Sequence, residues 1–167
     1  EGRPLKKSEV VNYKNYDNEF YKKLWLLNGL HLQLAYFAKS KNINFIHEIL
    51  ENDGGVSFAK RTVSQLSTAF NLYTNQDLDH ENFNNIIIER FSLSLIKDEV
   101  NRICRNPEIK FSKDERFEYP LRKLIENNND VSSFKEILNI IFDNSFLDIE
   151  GYDQFHKDQI STGREKF

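Results

Sequence analysis

Lys23, Asn28 and His31 stand in the pattern K-x4-N-x2-H inside a leucine-rich stretch. On an α-helix, at about 100° per residue, His31 lies about 80° and Asn28 about 140° round from Lys23, so the three share one side. That side is otherwise leucine, and polar groups embedded in it need partners, either a packed neighbour or a ligand. In one account Lys23 extends to solvent while Asn28 and His31 bind carbonyls of an adjacent helix. In the other, a desolvated lysine amine is a general base, and the amide and imidazole beside it hold an alcohol or carbonyl oxygen. The pattern by itself favours the first account.

A second cluster, Arg102, Arg105 and Lys110, forms R-x2-R-x-P-x2-K at the end of a helical stretch. Cations there complement the negative end of the helix dipole. They also suit a small anion, because arginine forks match phosphate oxygens. Arg90, at the end of the isoleucine-rich stretch, invites the same two readings. Other candidates fall away. His47-Glu48 is half of a zinc-protease helix, but Glu51 replaces the second histidine, so that reading fails on ligand count. His80 and His156 sit among charged residues in loops and receive no role. Cys104 lies on an apolar face and reads as a small core residue. Gly54-Gly55 stands alone, with neither a GxGxxG nor a Walker sequence to cradle a nucleotide.

Few glycines and prolines, with apolar stretches punctuated by Asn and Asp, specify helices joined by polar loops. The expectation is an all-α domain of six or seven helices over residues 17–167, with residues 1–16 as a lead-in. The longest helix runs from about Asn18 to Ser40. Its Asn28-Gly29 is also a hairpin signal, but flanking leucine and alanine with almost no β-branching favour the helix. Gly29 costs such a helix about 1 kcal/mol relative to Ala, which points to close approach of something to the backbone. Further helices are expected over residues 44–51, 56–73, 80–91, 95–104, 112–126 and 132–142. The fifth ends at Asn106-Pro107, and the sixth opens on a Ser112/Glu115 capping box. Residues 143–167 read as a polar tail.

The 167 residues carry 23 Lys plus Arg against 26 Asp plus Glu, a net charge of −3, so no broad basic field exists to hold nucleic acid. No apolar run approaches the roughly 20 residues of a membrane-spanning helix, and the N-terminus is no signal peptide. One cysteine excludes an internal disulfide and fits a reducing compartment. The chain contains no methionine and begins at Glu1, so a piece of a longer product is expected.

The segment from Lys23 to His31, running through Ala35-Tyr36 to Ile46-His47-Glu48, resembles the start of the helical C-terminal domain of the mannitol dehydrogenase family, the zinc-independent long-chain polyol dehydrogenases. Glu89-Arg90-Phe91-Ser92 is a second match. A third spans Ile96 to Pro107 and continues through Lys110-Phe111-Ser112, Glu115-Arg116-Phe117 and Pro120, and it is most similar to the branch acting on mannitol 1-phosphate. The matches follow the family's order from about Val10 to Pro120 and become diffuse after Leu121. Leu93 and Ser94 stand where the family usually has Asn-Pro, Ile109 replaces an arginine common in the phosphate branch, and Gly29-Leu30 stands where Thr-Gly is frequent.

The resemblance implies a fold similar to the C-terminal domain of 6-phosphogluconate dehydrogenase and a separate N-terminal nucleotide-binding domain that holds NAD. It implies a metal-free cytoplasmic enzyme, expected as a monomer, that interconverts mannitol 1-phosphate and fructose 6-phosphate. This piece alone would be inactive. Lys23 would be the general base, Asn28 and His31 would hydrogen-bond the reacting oxygen, and Arg90, Lys97, Arg102, Arg105 and Lys110 would contact the polyol or sugar phosphate. The alternatives are a relative acting on an unphosphorylated polyol or sugar acid, and a stand-alone helical interaction module.

Overall fold

A helical rod runs without interruption from Tyr13 to Ser40 and changes character in its middle. The computed structural model describes residues 13–77 and 79–161. Within them α1 (Tyr13–Lys22) passes into a π-helical segment (Lys23–Gly29) and then α2 (Leu30–Ser40). Leu30, Leu32, Leu34, Ala35, Tyr36 and Ala38 are all at most 1% exposed. A helix apolar on every side is a central one, and α2 accordingly touches α3 (Ile46–Ile49), α4 (Asp53–Thr74), α6 (Val100–Cys104) and α9 (Ser132–Asp143). The remaining elements are α5 (Glu81–Phe91), α7 (Pro107–Lys110), α8 (Glu118–Glu126) and α10 (Tyr152–Ser161). The fold is all-α, as expected, and the helical reading of Asn28-Gly29 holds.

Helix α4 starts where Asn52 accepts a hydrogen bond from Gly55 N at 2.9 Å and ends where Asn75 takes the left-handed conformation, φ +52°. Its buried Phe58, Val63, Leu66 and Phe70 are the stripe read from the sequence, and Phe58 stacks on Phe37 of α2 with centroids 4.3 Å apart. Gln65 ties this helix to the start of α9. Its amide donates to Ser132 Oγ (2.9 Å), and its oxygen accepts from Ser133 Oγ (2.6 Å). Cys104 is a buried core residue, and burial pushes its thiol pKa well up. Among the described residues no helix is long and apolar enough to cross a membrane.

Several boundaries differ from the sequence expectation. The rod begins at Tyr13, inside the stretch assigned to the lead-in, whose residues 1–12 lie outside the described ones. Helix α6 begins only at Val100 because the chain before it pairs sideways. Val100 N donates to Asn44 O (2.9 Å) and Ile46 N to Asp98 O (3.1 Å), around an isolated antiparallel bridge between Phe45 and Glu99. The Ser112/Glu115 capping box does not form. Asp114 turns to φ +66°, its N–H donates to Glu118 Oε2, and the Ser112 hydroxyl donates back to Ile109 O, so α8 starts at Glu118. The supposed polar tail holds α10, where Phe146, Ile149, Tyr152 and Phe155 are buried and Tyr152 OH donates to Ile141 O at 2.8 Å. His80 is likewise buried and hydrogen-bonded to Asn71 at 2.8 Å.

The two adjacent glycines of α4 have opposite surroundings. A Cβ at Gly55 would lie 1.7 Å from the Ile49 carbonyl oxygen, whereas one at Gly54 would meet only the Asn52 side chain at 3.4 Å. Gly55→Ala is therefore expected to destabilise the fold by about 3 kcal/mol, and Gly54→Ala to leave stability unchanged or raise it by up to about 1 kcal/mol. Urea unfolding midpoints of the two variants check the contrast.

Candidate functional site

A cavity of about 330 Å³ opens where the rod meets α6, α7 and the turn ahead of α8, lined by Asn28, His31, Arg102, Arg105, Lys110 and Arg116 among others. Four of the lining residues are cations and none is acidic. A chain of net charge −3 thus concentrates positive charge in one recess, and arginine and lysine side chains are the donors that suit an anionic ligand. Asn28 and His31 bring an amide and an imidazole to the same wall.

The local shape of the rod decides which residues reach it. A π turn closes between residues five apart. Asn28 therefore stands about one turn above Lys23, where an α-helix would set them about 140° apart. Gly29 ends the π segment, and a Cβ there would come within 2.9 Å of the Arg116 carbonyl oxygen and 3.3 Å of Leu66 Cδ2. The close approach anticipated at Gly29 is thus the Arg116 backbone. It brings the backbone of the turn ahead of α8 against the residue next to Asn28.

His31 is held on two sides. Its ring stacks on Phe91 of α5 with centroids 4.5 Å apart and planes 21° apart, and its Nε2 lies 3.4 Å from Asp98 Oδ2. The bridge between Phe45 and Glu99 is what places Asp98 there. His31 Nε2 is nonetheless buried without a hydrogen bond, which leaves it available to a ligand oxygen. Burial lowers the His31 pKa from 6.5 to about 4. Asp98 acts in the opposite sense, and Arg102, Arg90 and Lys110 add to the lowering. The imidazole is therefore neutral at physiological pH.

The cations differ in how far they are committed elsewhere. Arg102 Nη2 donates to Asp98 Oδ1 at 2.7 Å. Lys110 Nζ donates to the Ile103 and Arg105 carbonyls at 2.6 and 2.5 Å, and burial lowers its pKa. Arg116 Nε donates to Glu115 Oε2 at 3.1 Å. Lys23 is exposed and does not line the cavity. Arg90 and Lys97 are also exposed and outside it, although Arg90 is near enough for its charge to act on His31. The structure thus brings together five of the residues singled out in the sequence and adds Arg116, to which sequence pattern alone assigns no role.

A family model described as the mannitol dehydrogenase C-terminal domain matches residues 16–148. The mannitol-1-phosphate 5-dehydrogenase of Mycoplasma mycoides subsp. mycoides SC is 35% identical over 120 residues, covering 68% of this chain and 36% of that protein. Its namesake from Thermoanaerobacter pseudethanolicus is 33% identical over 125 residues, 73% of this chain and 31% of that one. Among solved structures, the Pseudomonas fluorescens mannitol 2-dehydrogenase ternary complex with NAD and D-mannitol matches with a TM-score of 0.56 and 20% identity. The match covers 83% of this chain and 28% of that one, a likeness of fold alone. The chain spans about a third of the length of these curated relatives.

The His31 environment sets a pH dependence. The folded state keeps the ring neutral down to about pH 4, whereas the unfolded chain protonates near 6.5, so the unfolded state binds more protons between those values and stability falls as pH drops through that window. NMR titration of His31 is expected to give a midpoint near 4, and Asp98→Asn, which removes the one favourable charge, to lower it further. A midpoint near 6.5 in the wild-type protein would contradict the burial described.

Proposed function

Because the chain belongs to the mannitol dehydrogenase family, as its C-terminal domain, we propose that it is the substrate-binding part of a cytoplasmic NAD-dependent oxidoreductase interconverting mannitol 1-phosphate and fructose 6-phosphate. The observation that carries the proposal is the cation-lined cavity that shares a wall with Asn28 and His31. A polyol phosphate needs both kinds of wall, neutral hydrogen-bonding groups for its hydroxyls and cations for its phosphoryl group.

This chain contains no glycine-rich turn of the kind that cradles a dinucleotide, so the cofactor would be held by a nucleotide-binding domain outside these residues. Bound there, NAD supplies the hydride acceptor. The residues of this chain would handle the proton and the oxygen. Lys23 Nζ is free of ion pairs and side-chain hydrogen bonds among the described residues, so its amine is uncommitted. It would take the proton from the reacting hydroxyl as the carbonyl forms. Asn28 and His31 would donate hydrogen bonds to that oxygen, and they stabilise its negative charge best where they are already held in place. The stacking of His31 on Phe91 supplies that fixing. Lys23 faces solvent here, so exclusion of water from the reacting atoms would fall to the nucleotide-binding domain.

A second reading, an unphosphorylated polyol or sugar acid as substrate, is favoured by the internal commitments of Arg102 and Lys110. A substrate screen of the full-length protein, with mannitol 1-phosphate and mannitol each offered with NAD and NADP, separates the two. The proposal expects mannitol 1-phosphate to be preferred by kcat/KM. Turnover of mannitol with none of the phosphate ester would overturn it. For the proton transfer, Lys23→Ala in the full-length enzyme is expected to lower kcat by about 100- to 10,000-fold while NAD affinity stays unchanged. Near-normal turnover would remove Lys23 from the role of base.

A further inference from the structure

We propose that Asp98 is a positioning residue for the reaction, keeping the single proton of the neutral His31 ring on Nε2 so that this nitrogen is a donor toward the reacting oxygen. This role rests on the reading of His31 as a hydrogen-bond donor to that oxygen. It goes beyond that reading by naming the group that decides between the two neutral forms of the ring.

A neutral imidazole carries one N–H and one lone pair, and its neighbours decide which nitrogen has which. The stacking of His31 on Phe91, with planes 21° apart, fixes the ring plane. A half-turn of the ring about its Cβ–Cγ bond satisfies that stacking equally well. Nε2 makes no hydrogen bond within the chain, so the choice falls to the charge that faces it, Asp98 Oδ2 at 3.4 Å. A carboxylate there attracts an N–H and repels a lone pair. Both side chains are only 20% exposed, so water screens the difference weakly. The other charges acting on the ring, Arg102, Arg90 and Lys110, are all cations, which leaves Asp98 as the group that draws the proton to Nε2.

Asp98 is itself fixed from three directions. Its carbonyl oxygen accepts from Ile46 N at 3.1 Å, its N–H donates to Ile96 O at 2.9 Å, and its Oδ1 accepts from Arg102 Nη2 at 2.7 Å. The facing segment is set by Glu48, whose Oε2 accepts from Phe45 N at 3.0 Å. Arg102 thus occupies one carboxylate oxygen and leaves the other toward His31. Because Nε2 and Oδ2 are close without being hydrogen-bonded, the carboxylate orients the N–H and does not consume it. As the reacting hydroxyl loses its proton, negative charge grows on its oxygen, and an N–H stabilises that charge where a lone pair would repel it.

The first measurement needs no variant. Long-range 1H–15N NMR of His31 in the full-length protein at neutral pH is expected to show Nε2 protonated and Nδ1 unprotonated, and the opposite tautomer would overturn the role of Asp98. Asp98→Asn keeps the shape but can offer its amide N–H to Nε2, which moves the ring proton to Nδ1. With mannitol 1-phosphate and NAD it is expected to lower kcat by about 100- to 1,000-fold and to convert the NMR signature to the Nδ1 form. Asp98→Ala removes the preference without reversing it and should lose less, and Asp98→Glu should recover part of both the rate and the Nε2 form. Release of Arg102 would show in KM, and the amide spectrum reports that each variant is folded. Turnover lost in Asp98→Asn with the tautomer unchanged, or turnover retained with the tautomer reversed, would contradict the assignment. Unchanged turnover in His31→Ala would instead overturn the reading of His31 on which the role of Asp98 rests.

Discussion

The carbonyl oxygen of Arg116 lies 2.9 Å from where a Cβ at position 29 would stand, and the arrangement of the site builds on that close approach of two backbone segments. A rod of 28 residues, Tyr13 to Ser40, crosses the middle of the domain, and at Gly29 a second segment comes into van der Waals contact with its backbone. The π turns just before Gly29 bring Lys23 and Asn28 nearer to one line along the rod than the about 140° between them on an α-helix. Beyond Gly29 the rod resumes as α2, whose burial on every side gives His31 a rigid base. Local geometry, a glycine and a central helix together present two neutral polar groups and a guanidinium to one recess.

Electrostatics complete the division of labour. Asp98, brought to His31 by the bridge at Phe45, also engages Arg102, so one carboxylate neutralises part of the positive charge crowded around the imidazole. Burial is nevertheless the dominant influence, and the ring stays neutral. A neutral imidazole in a cationic recess can hydrogen-bond an oxygen without adding repulsion to the arginines. The whole-chain charge of −3 conceals this field: no acidic residue lines the cavity itself, although Asp98 and Glu115 pair with two of its cations.

Much of this was legible in the sequence where local rules govern. The all-α class and the stripe of α4 follow from periodicity, the K-x4-N-x2-H spacing stands out in the sequence but takes its functional meaning from the family resemblance, and a glycine inside a strong helix announced a close backbone approach. Its partner could not be read, since only the tertiary fold brings position 116 to position 29. The pairing of Asp98 with Arg102 was within reach, being spaced i,i+4, whereas the Lys110 bonds depend on how the chain turns at Pro107. The missed α10 had a faint signal, with buried Phe146, Ile149, Tyr152 and Phe155 recurring every three residues among polar neighbours. The Ser112/Glu115 capping pattern misled because the left-handed turn at Asp114 moved the helix start to Glu118. The family match runs to residue 148, well past Leu121, after which the motif matches become diffuse.

The central claim is that one ligand spans the cavity, with its phosphoryl group on the guanidiniums and its reacting oxygen on Asn28. The most direct measurement follows the Nε resonances of Arg105 and Arg116 and the side-chain amide of Asn28 in the full-length protein as mannitol 1-phosphate is added. All three signals shifting together, with one common saturation curve, is the predicted result. Arginine signals that move while Asn28 stays fixed, or that saturate at a different concentration, would contradict a single site.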